Sequence, residues 1–92
     1  MLLKNLLANV NETYSNVEIT GVTCDSRKVE NGFAFVCISG ANQDGHDYAQ
    51  KALEQGASVI ITERKIGIDN EITVTDTHEV YADMCAAWFG YP

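Results

Sequence analysis

Basic residues are scarce in this chain. Six lysines and arginines stand against thirteen aspartates and glutamates, for a formal net charge of −7. Nucleic-acid binding needs basic patches that neutralise phosphates, so nucleic acid is excluded as a general partner. An anionic ligand has to be held by local groups, not by the field of the domain. Cysteine is sparse too. Cys24, Cys37 and Cys85 cannot all pair with one another, and none forms Cys-x-x-Cys. Cys37 and Cys85 fall on apolar faces, and the three read as buried free thiols of a reducing cytoplasm. Long apolar runs are missing. No stretch approaches the ~18 residues of a membrane span, which excludes a membrane partner by that route. Met1-Leu2-Leu3-Lys4 is too short for an export signal. Without one, the sequon Asn11-Glu12-Thr13 reads as chance. There is no Gly-x-x-x-x-Gly-Lys-[Ser/Thr] phosphate loop and no Gly-x-Ser-x-Gly. His46 and His78 share no ligand spacing with the cysteines, so no metal site is read here.

What remains is a single small domain, residues 1–92, with 46% hydrophobic content and no repeat or low-complexity segment. Such a chain buries about 60–65% of its unfolded surface and holds one core with little reserve. Leu2, Leu3, Leu6, Leu7 and Val10 share a helical face and predict a first helix over 2–9. A polar turn follows at 9–16. Val17-Glu18-Ile19-Thr20 alternates like a half-buried strand, Gly21 suggests a bulge, and Val22-Thr23-Cys24 continues it. Asn31-Gly32 signals a turn. Phe33 to Ile38 is a run of six apolar residues and reads as a strand covered on both faces. Asp44 is an N-cap candidate, with Asp47 at the capping-box position, for a helix over 46–55 that Gly56 ends. Ser58–Thr62 is a second buried strand, so 33–62 makes a crossover with parallel strands. Ile72–Thr75 is a short strand. Asp76 or Thr77 caps a last helix whose inner face is Val80, Tyr81, Met84, Cys85, Ala87 and Trp88. Gly90 stops it. The fold class is α/β, a small mixed sheet flanked by helices with a βαβ crossover.

In open α/β sheets, ligands sit past the carboxyl ends of the strands. Two loops occupy that place. Asp25-Ser26-Arg27 follows the first strand candidate, and Ser39 to Gly45 follows the central one. Each has a plain alternative: a polar turn in which Asp25 ties down amides, and an ordinary strand-to-helix loop. Arg27 is equally suited to pair with Asp25 or to reach a phosphate bidentately. At Asp44-Gly45-His46 the start of the helix would favour an anion, but Asp44 and Asp47 already bring carboxylates to that end. The structural reading is preferred there: Asp44 fixes the loop, Gly45 permits close packing, and His46 orders the loop instead of moving protons.

The whole succession resembles the N-terminal domain of the Mur ligases. It runs Asp25-Ser26-Arg27-Lys28-Val29, a glycine, Phe33-Ala34-Phe35-Val36, then Gly40-Ala41-Asn42-Gln43-Asp44-Gly45-His46-Asp47-Tyr48, and a helix ending in Gly56-Ala57. The pattern spans about residues 20–92. The resemblance implies an ATP-dependent ligase of peptidoglycan precursor synthesis, most like the member that adds the third amino acid, meso-diaminopimelate or L-lysine, to UDP-N-acetylmuramoyl-L-alanyl-D-glutamate in the cytoplasm. It implies that Cys24 and Ser26, with Ala41, Asn42 and Gln43, contact the UDP part, and that Asp25, Arg27, Gly40, Asp44, Gly45 and His46 support them. Cys24 is expected to contribute main-chain groups. It implies no cofactor in this domain; ATP and Mg belong to the parent ligase, whose central ATPase and C-terminal domains would follow the Trp88-Phe89-Gly90-Tyr91-Pro92 ending. The parent's own central domain is then a partner. The alternatives are the same domain of the D-alanyl-D-alanine-adding ligase, and a free-standing uridine-nucleotide-binding module without catalysis.

Overall fold

Two apolar strands set the architecture. Phe33–Val36 and Val59–Thr62 alternate their side chains between two buried faces, so neither face can be left to water. In the computed structural model, which describes residues 1–7, 10, 12–40 and 43–89, they form the centre of a four-stranded sheet ordered β1-β2-β3-β4. The strands are β1 (Gly21–Thr23), β2 (Phe33–Val36), β3 (Val59–Thr62) and β4 (Glu71–Thr73). Every neighbouring pair is parallel, with Phe35 opposite Ile60 and Ile61 opposite Ile72. The α/β class and the parallel β2–β3 crossover are as expected. The sheet itself is parallel rather than mixed, and its antiparallel component is confined to isolated bridges, Leu2 with Glu18 and Ser39 with Asp44.

One face packs Ala34, Val36, Val59 and Ile61 against Leu3, Leu6, Leu7, Ile19 and Met84. The other packs Phe35, Cys37 and Ile60 against Val29, Ala49, Ala52 and Ala57. Burial of both faces is the usual condition of parallel sheets. The first face is covered by the N-terminal segment and by the long helix α3 (Thr77–Phe89). The expected inner face of α3 is there: Met84 is fully buried, and Val80, Tyr81, Ala87 and Trp88 pack around the same core. The second face is covered by α2 (Ala49–Glu54), which continues a three-ten turn at Gly45–Tyr48. Gly56 ends α2 with φ +106°. Its amide donates to Leu53 O at 3.0 Å and that of Ala57 to Ala52 O at 3.1 Å, the paired bonds of a Schellman stop.

Some local expectations change. The predicted helix over 2–9 is a three-ten turn at Leu3–Asn5; Ala8 and Asn9 lie outside the described residues. The leucines do reach the core, but the chain before them is extended. Leu3 N–H donates to Val17 O at 2.9 Å and Ile19 N–H to Met1 O at 2.8 Å. Residues 17–20 keep their alternating burial, with the N-terminal segment as partner. The polar turn contains one helical turn, α1 (Glu12–Ser15). Gly21 makes no bulge. It opens β1, and the Phe33 ring lies where a Cβ would stand. Asn11, Gly90, Tyr91 and Pro92 fall outside the described residues. Among the described residues no helix is long and apolar enough to cross a membrane.

Burial makes Cys37 a chemical probe of this packing. It has no solvent exposure, and burial, with Asp44 and Glu71 nearby, pushes its thiol up from 9.0 to about 12. The folded value lies above the unfolded one, so this contribution is fully present below pH 9.0 and lost as pH rises toward about 12. The stability difference between wild type and Cys37→Ala, read by urea denaturation, should shrink over that window. Cys24, expected to be buried, is exposed, because it lies past the end of β1 and outside the core, and Cys85 is half-buried. A thiol reagent should label Cys24 in the native state and Cys37 only on unfolding. Rapid native labelling of Cys37 would contradict the packing described.

Candidate functional site

Because all four strands run parallel, their carboxyl ends open on one edge of the sheet. The segment after β1 and the segment after β2 stand side by side there. Between them lies a cleft of about 440 Å³ lined by Cys24, Asp25, Ser26, Arg27, Ile38, Gln43, Gly45, Tyr48 and Lys51. Five of the residues expected for the ligand are named by the resemblance as direct contacts. Three of them, Cys24, Ser26 and Gln43, line this one cleft. Ala41 and Asn42 lie outside the described residues. Asp25, Arg27 and Gly45 also line it, whereas Gly40, Asp44 and His46 do not.

The β1 side is a self-contained turn. Asp25 N–H donates to Thr23 Oγ1 at 3.0 Å. Asp25 then caps the three-ten turn Ser26–Lys28 by accepting from Arg27 N–H at 2.9 Å. The Arg27 guanidinium closes back on the same carboxylate, Nε to Oδ1 at 3.1 Å and Nη2 to Oδ2 at 2.9 Å. Of the two roles open to Arg27, this structure shows the pairing with Asp25. Those hydrogen bonds hold the Asp25 carboxyl down at about 2. Ser26 carries the hydroxyl that this turn offers to the cleft, and it is half-buried.

The β2 side is held from behind. Asp44 Oδ1 accepts from His46 N–H at 3.0 Å and meets His46 Nδ1 at 2.6 Å. Ser39 Oγ donates to the same oxygen at 3.3 Å. Arg64 Nη2 donates to Oδ2 at 2.7 Å. These donors hold the Asp44 carboxyl well below the usual carboxylate range, the His46 amide first among them. His46 is buried, and its Nε2 accepts from Glu63 N–H at 2.9 Å. An acceptor at Nε2 leaves Nδ1 as the ring's donor, facing Asp44. Both nitrogens are engaged in structure. These contacts order the loop, the part the sequence reading preferred for this histidine. The expected capping box does not form: Asp44 catches the amide two residues on, and the Asp47 amide returns to Asp44 O at 3.0 Å.

Gly45 explains why the turn passes so close to β2. A Cβ there would stand 2.6 Å from Ile38 N and 3.0 Å from Cys37 Cα, both main-chain atoms that cannot swing away. Its own N–H donates to Ile38 O at 2.8 Å. Three cleft residues were not singled out as ligand contacts by sequence reasoning, Ile38, Tyr48 and Lys51. Tyr48 and Lys51 stand three apart, one ending the turn before α2 and one inside it, so they share a face. In a chain this acidic, an exposed lysine beside a predicted ligand loop was the available signal. A second cavity, about 680 Å³ between Leu6, Leu7, Val10, Ile72, Val74 and α3, is lined mainly by apolar groups. Glu63, Asp76 and His78 bring ligating atoms within 4.8 Å of one another. However, Glu63 Oε2 takes both Thr77 donors at 2.9 Å, and Asp76 Oδ1 takes the Glu79 amide at 3.1 Å. The start of a helix also disfavours a cation.

His46→Ala should destabilise the fold by about 1–3 kcal/mol, since it strips a partner from a partly buried amide and from Asp44. Chemical denaturation measures this, and a loss near zero would contradict the network. Asp25 has a folded value below its usual 3.8, so its pairing contributes above that pH and is lost as pH falls toward about 2. An NMR titration of its carboxyl carbon should show a midpoint near 2. A midpoint at 3.8 would mean that the Arg27 pairing does not persist in solution.

Comparison with known proteins bears on this arrangement. Residues 18–88 match the family model described as "Mur ligase family, catalytic domain". The chain is 42% identical to the UDP-N-acetylmuramoyl-L-alanyl-D-glutamate–2,6-diaminopimelate ligase of Oceanobacillus iheyensis, covering 100% of this chain and 20% of that protein. It is 36% identical to the Syntrophomonas wolfei ligase of the same name, over 99% of this chain and 19% of that one. It thus spans about a fifth of the length of these relatives. Among solved structures, MurF ligase from Thermotoga maritima in complex with ADP superposes with a TM-score of 0.66 at 31% identity, over 75% of this chain and 16% of that one. A MurF of Acinetobacter baumannii gives a TM-score of 0.68 at 28% identity, over 87% and 17%. On a match spanning most of its length and a shared fold, the chain belongs to the Mur ligase family.

Proposed function

We propose that this chain is the N-terminal, UDP-recognising domain of a cytoplasmic ligase that adds the third amino acid to UDP-N-acetylmuramoyl-L-alanyl-D-glutamate. The observation that carries the reading is the cleft in which Ser26 and Gln43, from different loops, meet at the carboxyl edge of the sheet. A hydroxyl and a carboxamide each donate and accept, which suits the mixed edge of a uracil or ribose. Lys51 is the cleft cation left to meet a diphosphate, because Arg27 is already closed on Asp25. Cys24 lines the same wall and would meet the ligand through its main chain.

The parent reaction then reads as follows. ATP phosphorylates the D-glutamate side-chain carboxylate, and an amine of meso-diaminopimelate or L-lysine attacks the acyl phosphate to form the amide and release phosphate. ATP and Mg belong to the parent's central domain. These residues do not fit them: the chain has no Gly-rich loop ending in Lys-Ser or Lys-Thr, and the cleft offers one free cation among its described lining residues. This domain's share is to hold the uridine end, so that remote binding energy positions the reacting end on the other two domains. The named relatives favour third-residue addition: the diaminopimelate ligases reach 42% identity, whereas the D-alanyl-D-alanine-type MurF structures reach 31%.

The chain should bind UDP weakly and in preference to ADP. In an amide NMR titration, shifts should cluster at residues 23–27 and 39–46. Ser26→Ala should weaken UDP binding by about 0.5–1.5 kcal/mol, the loss of one neutral hydrogen bond. Lys51→Gln should weaken UDP while leaving uridine unchanged. No response of these residues to millimolar UDP, or an equal response to ADP, would overturn the uridine site.

A further inference from the structure

We propose that Arg64, which does not line the cleft, is the positioning residue that sets the ligand-facing loop; this rests on the uridine reading above. The loop from Ser39 to Asp44 carries Gln43 into the cleft. It is closed by two main-chain features, the Ser39–Asp44 bridge and the Gly40 N–H donated to Gln43 O at 2.7 Å. Both depend on where Asp44 sits. One Asp44 oxygen, Oδ1, gathers the His46 amide, the His46 ring and the Ser39 hydroxyl. Three donors on a single oxygen fix its position but leave the carboxylate free to turn about it. The other oxygen, Oδ2, accepts from Arg64 Nη2 at 2.7 Å. That second point removes the remaining freedom. Arg64 lies just past the carboxyl end of β3, twenty residues along the chain, and its neighbour Glu63 pins the His46 ring through its amide. The end of β3 therefore grips the β2 loop at two successive residues.

Arg64 is more than half exposed, at 56% of its side chain. Exposed ion pairs contribute little to global stability. The consequence of this pair is local, in the geometry of Gly40 and Gln43, and that separates it from a stabilising contact. The Gly40 amide reports the loop closure. The Cys37 amide, donated across the sheet to Ile61 O at 2.9 Å, reports the global fold.

The test uses the full 92-residue chain as wild type, Arg64→Gln and Arg64→Lys, with amide hydrogen exchange and UDP titration by NMR. In Arg64→Gln, Gly40 exchange should speed by about tenfold or more while Cys37 exchange is unchanged. UDP affinity should fall about 3- to 10-fold. Arg64→Lys keeps a cation within reach of Oδ2 and should recover most of both effects. Wild-type Gly40 protection and wild-type UDP affinity in Arg64→Gln would overturn the proposal. So would parallel acceleration of Gly40 and Cys37, which marks a merely stabilising role. If wild type itself does not respond to UDP, the uridine reading falls. Arg64 is then judged on exchange: selective loosening of Gly40 sustains its hold on the loop, and unchanged exchange removes it.

Discussion

The Asp44 carboxylate is the point on which the ligand edge depends. It gathers donors from Ser39, from the amide and ring of His46, and from Arg64. These come from the end of β2, the start of the next helix and the end of β3. A loop at a sheet edge would ordinarily sample many conformations, because its main chain has few partners. Here one carboxylate replaces them. Gly45 makes this possible, since only a residue without a Cβ can pass so close to the Ile38 main chain and leave Asp44 beside His46. Ser39, Gly40, Gln43 and Asp44 are thereby tied to the sheet edge, so a ligand there meets groups already held in place.

The same economy governs charge. The domain carries a net charge of −7, yet its proposed ligand is an anion. Two acidic groups at the cleft and behind it are paired locally: Asp25 with Arg27, Asp44 with Arg64. Each pairing lowers its carboxyl and engages its guanidinium. Attraction over distance gives way to short-range hydrogen bonding. Screening at physiological ionic strength, with a Debye length of about 8 Å, reduces the cost of that arrangement.

Legibility in the sequence follows the range of the interaction. The buried strands β2 and β3, the helix stop at Gly56 and the inner face of α3 were readable, because each is dictated by residues within a few positions of one another. The Asp44 cap was readable for the same reason, though its partner is two residues on instead of three. The N-terminal leucines were misread. Their spacing fits a helical face, but Met1 to Leu3 are drawn into extended pairing with residues 17–19, and a periodicity over so few residues cannot reveal that partner. The parallel run of β4 was equally hidden, since it depends on how the chain from 63 to 70 returns. Glu71 decides it, accepting from the Ile66 and Gly67 amides at 2.7 and 2.9 Å and from the Thr62 hydroxyl at 2.7 Å.

The site divides in the same way. The loops at 25–27 and 39–45 could be placed because they follow predicted strands, and parallel strands put such loops on one edge; within them it was the family resemblance that singled out Ser26 and Gln43. Tyr48 and Lys51 could not, because the tilt of α2 over the sheet decides whether its first turn reaches the cleft. Arg64 was further out of sight: nothing at positions 63–65 marks one residue as the partner of an aspartate twenty positions earlier. Its role becomes visible only when the ends of β2 and β3 are seen side by side. A parallel sheet brings every carboxyl end to the same edge, so the residue that follows one strand is the natural support for the loop that follows its neighbour. That constraint makes the second rank of a site on such a fold predictable from strand order, even where its residues carry no local signal.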